Sequence, residues 1–116
     1  MPCEKQLQRL QSLPKTRYQY FIDLYQQVKK DGLESPTFNK LYKELHLSEV
    51  IFSFDWIGWQ PAKEVWNEDY NFDNLSLLEL AQHLSAIFRA DYYNEGTVVS
   101  AYYRGLFEKI FSAMDG

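Results

Sequence analysis

Cysteine is almost absent from this chain. The single thiol, Cys3, has no partner for an internal disulfide. The two histidines, His46 and His83, stand far apart, and with one cysteine they do not make a conventional zinc site. The five glycines are scattered at 32, 58, 96, 105 and 116, so no glycine run is available to cradle a phosphate. There is no Gly-x-Ser-x-Gly elbow and no HExxH helix. No apolar run approaches the roughly 18 residues of a membrane span. The first residues, MPCEKQLQRLQSLPK, lack the apolar stretch of a signal peptide. The expected address is therefore the cytoplasm, with Cys3 a free thiol near a mobile end. Disulfide scaffolds, zinc fingers and the familiar hydrolase and nucleotide-binding motifs are set aside.

What is abundant is aromatic and apolar. Of 116 residues, 46% are apolar, and nine Tyr, eight Phe and three Trp make up 17%. That length and composition suit a single globular domain, 1–116, with one real core. The net charge of -4 is uneven: residues 1–47 carry +3 and residues 48–116 carry -7. An acidic balance disfavours a broad nucleic-acid footprint. The early basic residues (Lys5, Arg9, Lys15, Arg17, Lys29, Lys30, Lys40 and Lys43) are spaced as solvated helix faces are.

The hydrophobic period is helical over most of the chain. Leu7, Leu10 and Leu13 predict a helix over about 3–12, ended by Pro14. Tyr18, Phe21, Ile22, Tyr25 and Val28 predict one over 16–30, with Gly32 as its stop. Ser35-Pro36 opens a third over about 36–46. Residues 50–57 change to period two, which predicts an extended or short β segment with no second strand to pair with. A short helix is expected over 61–70. Ser76 and Glu79 form a capping box before a central helix over 77–90, whose face should meet both the 16–30 stripe and the tail residues Phe107 and Ile110. Asn94 is read as the cap of a further helix. Gly105 then precedes a tail stripe of Leu106, Phe107, Ile110, Phe111 and Met114. The fold class is all-α, a compact bundle of about five or six helices. His83 is expected at the core edge, hydrogen-bonded to backbone.

Phe54-Asp55-Trp56 with Trp59, then Arg89-x-Asp91, two aromatics, Glu95-Gly96 and Gly105-Leu106, form a recognisable set. It resembles a family of small, mostly bacterial proteins catalogued only as a domain of unknown function. The resemblance covers roughly residues 48–116. Where that family has Asp-Arg-Phe, this chain has Asp91-Tyr92-Tyr93. The resemblance implies a helical fold and supplies no activity, substrate or cofactor.

The same residues are the candidate binding site: Asp55, Trp56, Trp59, Arg89, Asp91, Tyr92, Tyr93 and Glu95. Asp55 lies in an aromatic run where a charge needs a partner. Asp91 sits at a helix C-terminus, where a negative charge is disfavoured unless it caps the next helix or pairs with a cation. Arg89 is the one cation between residues 64 and 103, so an ion pair with Asp55 or Asp91 is expected. No catalytic residue, metal ligand or cofactor is assigned. The leading reading is a non-enzymatic protein-interaction or regulatory module, with a second copy of the chain as one candidate partner. The alternative is a small-molecule-binding protein or enzyme with an aromatic pocket around Trp56, Trp59, Arg89 and Glu95. An open cleft rather than a closed aromatic cluster favours that alternative.

Overall fold

The computed structural model describes residues 3–115. The expectation of a free thiol at Cys3 lies outside the described side chains. Seven helices are present among the described residues: α1 (Cys3–Ser12), α2 (Lys15–Asp31), α3 (Pro36–Leu47), α4 (Pro61–Glu64), α5 (Leu77–Tyr93), α6 (Thr97–Tyr103) and α7 (Leu106–Asp115). This is more than the expected five or six, and Gly105, at φ 80°, separates α6 from α7 as the sequence suggests. The all-α class holds.

The helices begin and end where local chemistry directs. Ser35 accepts a hydrogen bond from Phe38 N with Pro36 in the first turn of α3. Ser76 and Glu79 complete the capping box of α5 from both sides. The expected helix over 61–70 is confined to Pro61–Glu64 and continues as turns to Tyr70. α5 runs to Tyr93 rather than ending near 90, and Asn94 closes it instead of opening α6.

The core forms where the sequence stripes converge. Phe21, Tyr25 and Val28 of α2, Leu41 and Leu45 of α3, Leu80, Leu84 and Ile87 of α5, and Phe107, Ile110 and Phe111 of α7 are all buried. α2 packs on α3 and α7, whereas α5 packs on α1, α4, α6 and α7. The tail helix packs against both groups, and α5 also meets α3 directly through Phe88, whose ring lies 6.2 Å from Phe38 and 4.8 Å from Tyr42. Tyr25 stacks on Phe111 at 5.0 Å, and Phe88 of α5 meets Phe107 at 5.7 Å. All five residues of the tail stripe are buried within the chain. The radius of gyration, 13.3 Å, is that of a compact chain of this length.

Residues 50–57 form no strand among the described residues. A strand needs a ladder partner, and this run finds a side chain instead. Phe52 N donates to Ser85 Oγ of α5 at 2.9 Å, and Ser85 Oγ donates to Ala81 O at 2.8 Å. The alternation is still expressed as packing. Phe52, Phe54 and Trp56 are half-buried, while Ser53, Asp55 and Ile57 are exposed. The run crosses the outer face of α5 and delivers the chain to α4.

Candidate functional site

An open cleft of about 550 Å³ lies between α5 and the segment that crosses it. One wall is α5 itself, through His83, Ala86, Ile87, Ala90 and Tyr93. The other is Trp56, Ile57, Ala62, Lys63, Val65 and Trp66, and Thr97 completes the rim. The small side chains of Ala86 and Ala90 leave room along α5 that a larger residue would fill. Trp56, Trp66 and Tyr93 supply aromatic surface. Lys63 is the one charged side chain of the lining.

Two turns hold the outer wall in place. Asp55 Oδ1 accepts from Gly58 N at 3.3 Å, which bends the chain between Trp56 and Trp59. A Cβ on Gly58 would stand 3.1 Å from Asp55 Oδ2, so this bend favours glycine. At the far end Asp91 Oδ1 accepts from Gly96 N at 3.1 Å and from Val98 N at 3.0 Å. The charge that looked misplaced at the end of α5 is therefore the cap of α6. Gly96, at φ 105°, supplies the left-handed turn that brings those amides round to Asp91.

Beside the cleft runs a chain of rings. Phe52 meets Phe54 at 5.4 Å, Phe54 meets Trp59 at 5.4 Å, and Trp59 lies against the His83 imidazole at 4.7 Å. Tyr70 and Phe72 close on the same imidazole at 5.3 and 6.0 Å. His83 is 1% exposed. It shares a hydrogen bond with Tyr70 through Nε2 and Oη, 2.9 Å apart, and not with backbone as the sequence suggested. Its Nδ1 is closed off from solvent and has no hydrogen-bond partner among the described residues. Burial holds the imidazole down at a pKa of about 4, against a smaller opposing effect of Glu79. Burial likewise pushes the Tyr70 phenol up, with Glu79 and Glu64 adding to it. At neutral pH both groups are uncharged. If the phenol donates, Nδ1 is a donor; if the imidazole donates, Nδ1 is an acceptor.

The structure brings two of the eight expected site residues to this cleft, Trp56 and Tyr93, with ring centroids 6.4 Å apart. Trp59 stands behind it against His83. Asp55 and Asp91 are occupied as turn and helix caps. Tyr92 is exposed and packs edge-on against Tyr93 at 5.1 Å. Glu95 lies in a shallower groove on the other side of Trp66, with Ser100 and Arg104. Arg89 does not make the expected ion pair; it donates to Ser53 Oγ and is exposed. Both carboxylates it was matched with are bonded to backbone amides instead.

The sequence reading missed Lys63, Trp66, Tyr70 and the role of His83. The apolar positions of α5 carried a clue: His83 and Ser85 stand between buried residues on both sides, and a polar group there requires a partner. The partner, Tyr70, lies within the expected 61–70 helix, but α4 ends at Glu64 and Tyr70 reaches His83 from the loop beyond it.

Four of the eight basic residues of the first helices have partners within the chain. Arg9 pairs with Glu49, Arg17 with Glu44, and Lys29 with Glu108, while Lys40 lies over the Tyr20 ring. Among the described residues no group of His, Cys, Asp or Glu is arranged to hold a metal ion. No described helix is long and apolar enough to cross a membrane.

The chain is a member of the family of unknown function DUF6508, whose model matches residues 26–115. The match extends well upstream of the motif-bearing half that carries the resemblance, and takes in part of α2 and all of α3. No curated protein and no solved structure matches the chain.

Proposed function

We propose that this protein binds a small, largely apolar molecule in the cleft between α5 and the 56–66 segment. The observation that carries the reading is the cleft itself. Its volume of about 550 Å³ falls within the usual range for small-molecule sites, and its lining is apolar with few polar groups. The buried imidazole in its wall adds to this. An unsatisfied polar atom among rings costs the fold roughly 1–3 kcal/mol, and a residue kept at such a cost is a candidate for a binding role. The lining offers binding groups rather than an evident nucleophile.

The test uses N-phenyl-1-naphthylamine, a neutral probe whose fluorescence rises in apolar sites. Saturable enhancement at one probe per chain is expected. It should disappear in Ala90→Trp, which fills the cleft from the partly exposed side of α5. No saturable enhancement, or equal enhancement in Ala90→Trp, overturns the reading.

A protein-interaction role is favoured by a separate observation. Ile57, Tyr92 and Tyr93 are 68, 84 and 75% exposed beside the cleft mouth, an uncommon concentration of large apolar and aromatic groups. A partner, a second copy of the chain included, would cover these rings. Sedimentation of the wild type and of a Tyr92→Ser/Tyr93→Ser variant tests self-association. A single species near 14 kDa at tens of micromolar rejects the second copy.

A further inference from the structure

We propose that the ligand of this cleft is an aromatic acid: a flat ring system that enters between the aromatic walls, with a carboxylate held at the mouth by Lys63. The inference rests on the reading of the cleft as a small-molecule site and adds the ligand's charge and shape.

The charge is set by the side chains that line the cleft. The chain carries sixteen acidic residues and a net charge of -4. None of those carboxylates lines the cleft, whose one charged side chain is Lys63. Lys63 is exposed and makes no ion pair among the described residues, whereas Arg9, Arg17 and Lys29 are each paired with a carboxylate. An unpaired ammonium at the edge of an apolar cavity attracts an anionic group, because the low-dielectric walls weaken solvent screening there. A cationic ligand would meet Lys63 with no opposing carboxylate in the lining.

The shape is set by the rings. Trp56, Trp66 and Tyr93 present aromatic surface from both walls. Planar ligands stack on such surfaces, and aromatic pairs gain beyond their buried area. Trp66 is itself held from its other side by Arg104, whose guanidinium lies 5.7 Å from the ring centroid.

Three probes of one shape separate the contributions: 2-naphthoate, 2-naphthamide and 2-naphthylmethylammonium, titrated against intrinsic tryptophan fluorescence at low salt. The carboxylate should bind roughly five- to tenfold tighter than the amide, as a partly exposed charge-assisted contact allows. The ammonium should bind most weakly. The preference of carboxylate over amide should shrink at 0.5 M salt and collapse towards unity in Lys63→Gln, an exposed substitution whose folding is checked by circular dichroism. Equal or weaker binding of the carboxylate than the amide overturns the inference, as does a preference that survives in Lys63→Gln. If N-phenyl-1-naphthylamine still binds and is blocked by Ala90→Trp, that failure belongs to the ligand's charge alone. If neither the neutral probe nor any naphthyl probe binds, the cleft reading falls with it.

Discussion

Two faces of α5 are built on opposite principles. One face, with Leu80 and Leu84, is sealed in the core among apolar residues, and Ile87 lies at the seam between the two faces. On the other, His83, Ala86 and Ala90 look onto irregular chain and an open cleft. The sealed face spends each residue on packing. The open face keeps a histidine with an unsatisfied nitrogen and two alanines where larger groups would fill space. Tertiary packing gives stability on one side and leaves an open cleft on the other, within the same stretch of helix.

The strongest break in that comparison comes from Leu84, which is fully buried. Leu84→Ala should cost about 2–5 kcal/mol in urea unfolding, from lost transfer energy and the cavity left behind. Trp56→Ala, on the cleft side, should cost much less, because Trp56 is only half-buried. Equal losses would mean that the cleft wall is core by another name.

The open face should also respond to acid. His83 titrates near pH 4 in the folded chain and near 6.5 when unfolded. Between those values the unfolded chain takes up a proton that the folded chain refuses. Stability therefore falls as pH drops from about 6.5 to about 4, by about 3 kcal/mol at the full extent. His46 is also lowered, by its partial burial first and by Arg89 second, and acts in the same direction. The comparison is thus between wild type and His83→Leu. The variant should lose most of the slope while keeping the smaller share from His46. An unchanged slope would remove His83 from the account.

The two faces also differ in how far they could be read from sequence. The sealed face is legible from period alone. Leu80 and Leu84, and the tail stripe from Leu106 to Met114, are buried as their spacing predicts. The capping box at Ser76 is legible for the same reason, since its residues lie three apart and act locally. The open face depends on contacts distant in sequence: Tyr70 with His83, Ser85 with Phe52, Trp56 with Tyr93. No local pattern encodes these. The period-two run of 50–57 is real, but it reports alternate burial against a helix rather than pairing in a sheet. Asp55 and Asp91 do need partners, as their places in the chain suggest, yet backbone amides supply them. The motif set marks the joints of the cleft more than its lining.

Asp91 tests whether those joints matter. Its carboxylate holds two amides at the start of α6. Asp91→Ala should cost about 0.5–2 kcal/mol, the usual range for a lost helix cap. Because Thr97 on the cleft rim begins α6, amide exchange at residues 97–101 should speed up more than at residues 80–87. Uniform acceleration would mean that the cap serves the whole fold and not the cleft's edge.

The smallest effect is expected at Arg89, and it separates the motif from the site. Arg89 is the scarcest cation of its region, and burial among aromatics would have made it expensive to remove. In the structure it is exposed and donates to Ser53 Oγ, a neutral group on an exposed part of the crossing segment. No carboxylate is stranded when it is lost, so the large penalty for breaking a buried pair does not apply. Arg89→Ala should change stability by no more than about 0.5 kcal/mol, as surface substitutions generally do. It should also leave the binding of N-phenyl-1-naphthylamine unaltered, because Arg89 does not line the cleft. A loss of several kcal/mol would show that the crossing segment depends on this one contact more than on Ser85. A selective loss of probe binding at full stability would extend the functional surface beyond the cleft, along the exposed side of α5.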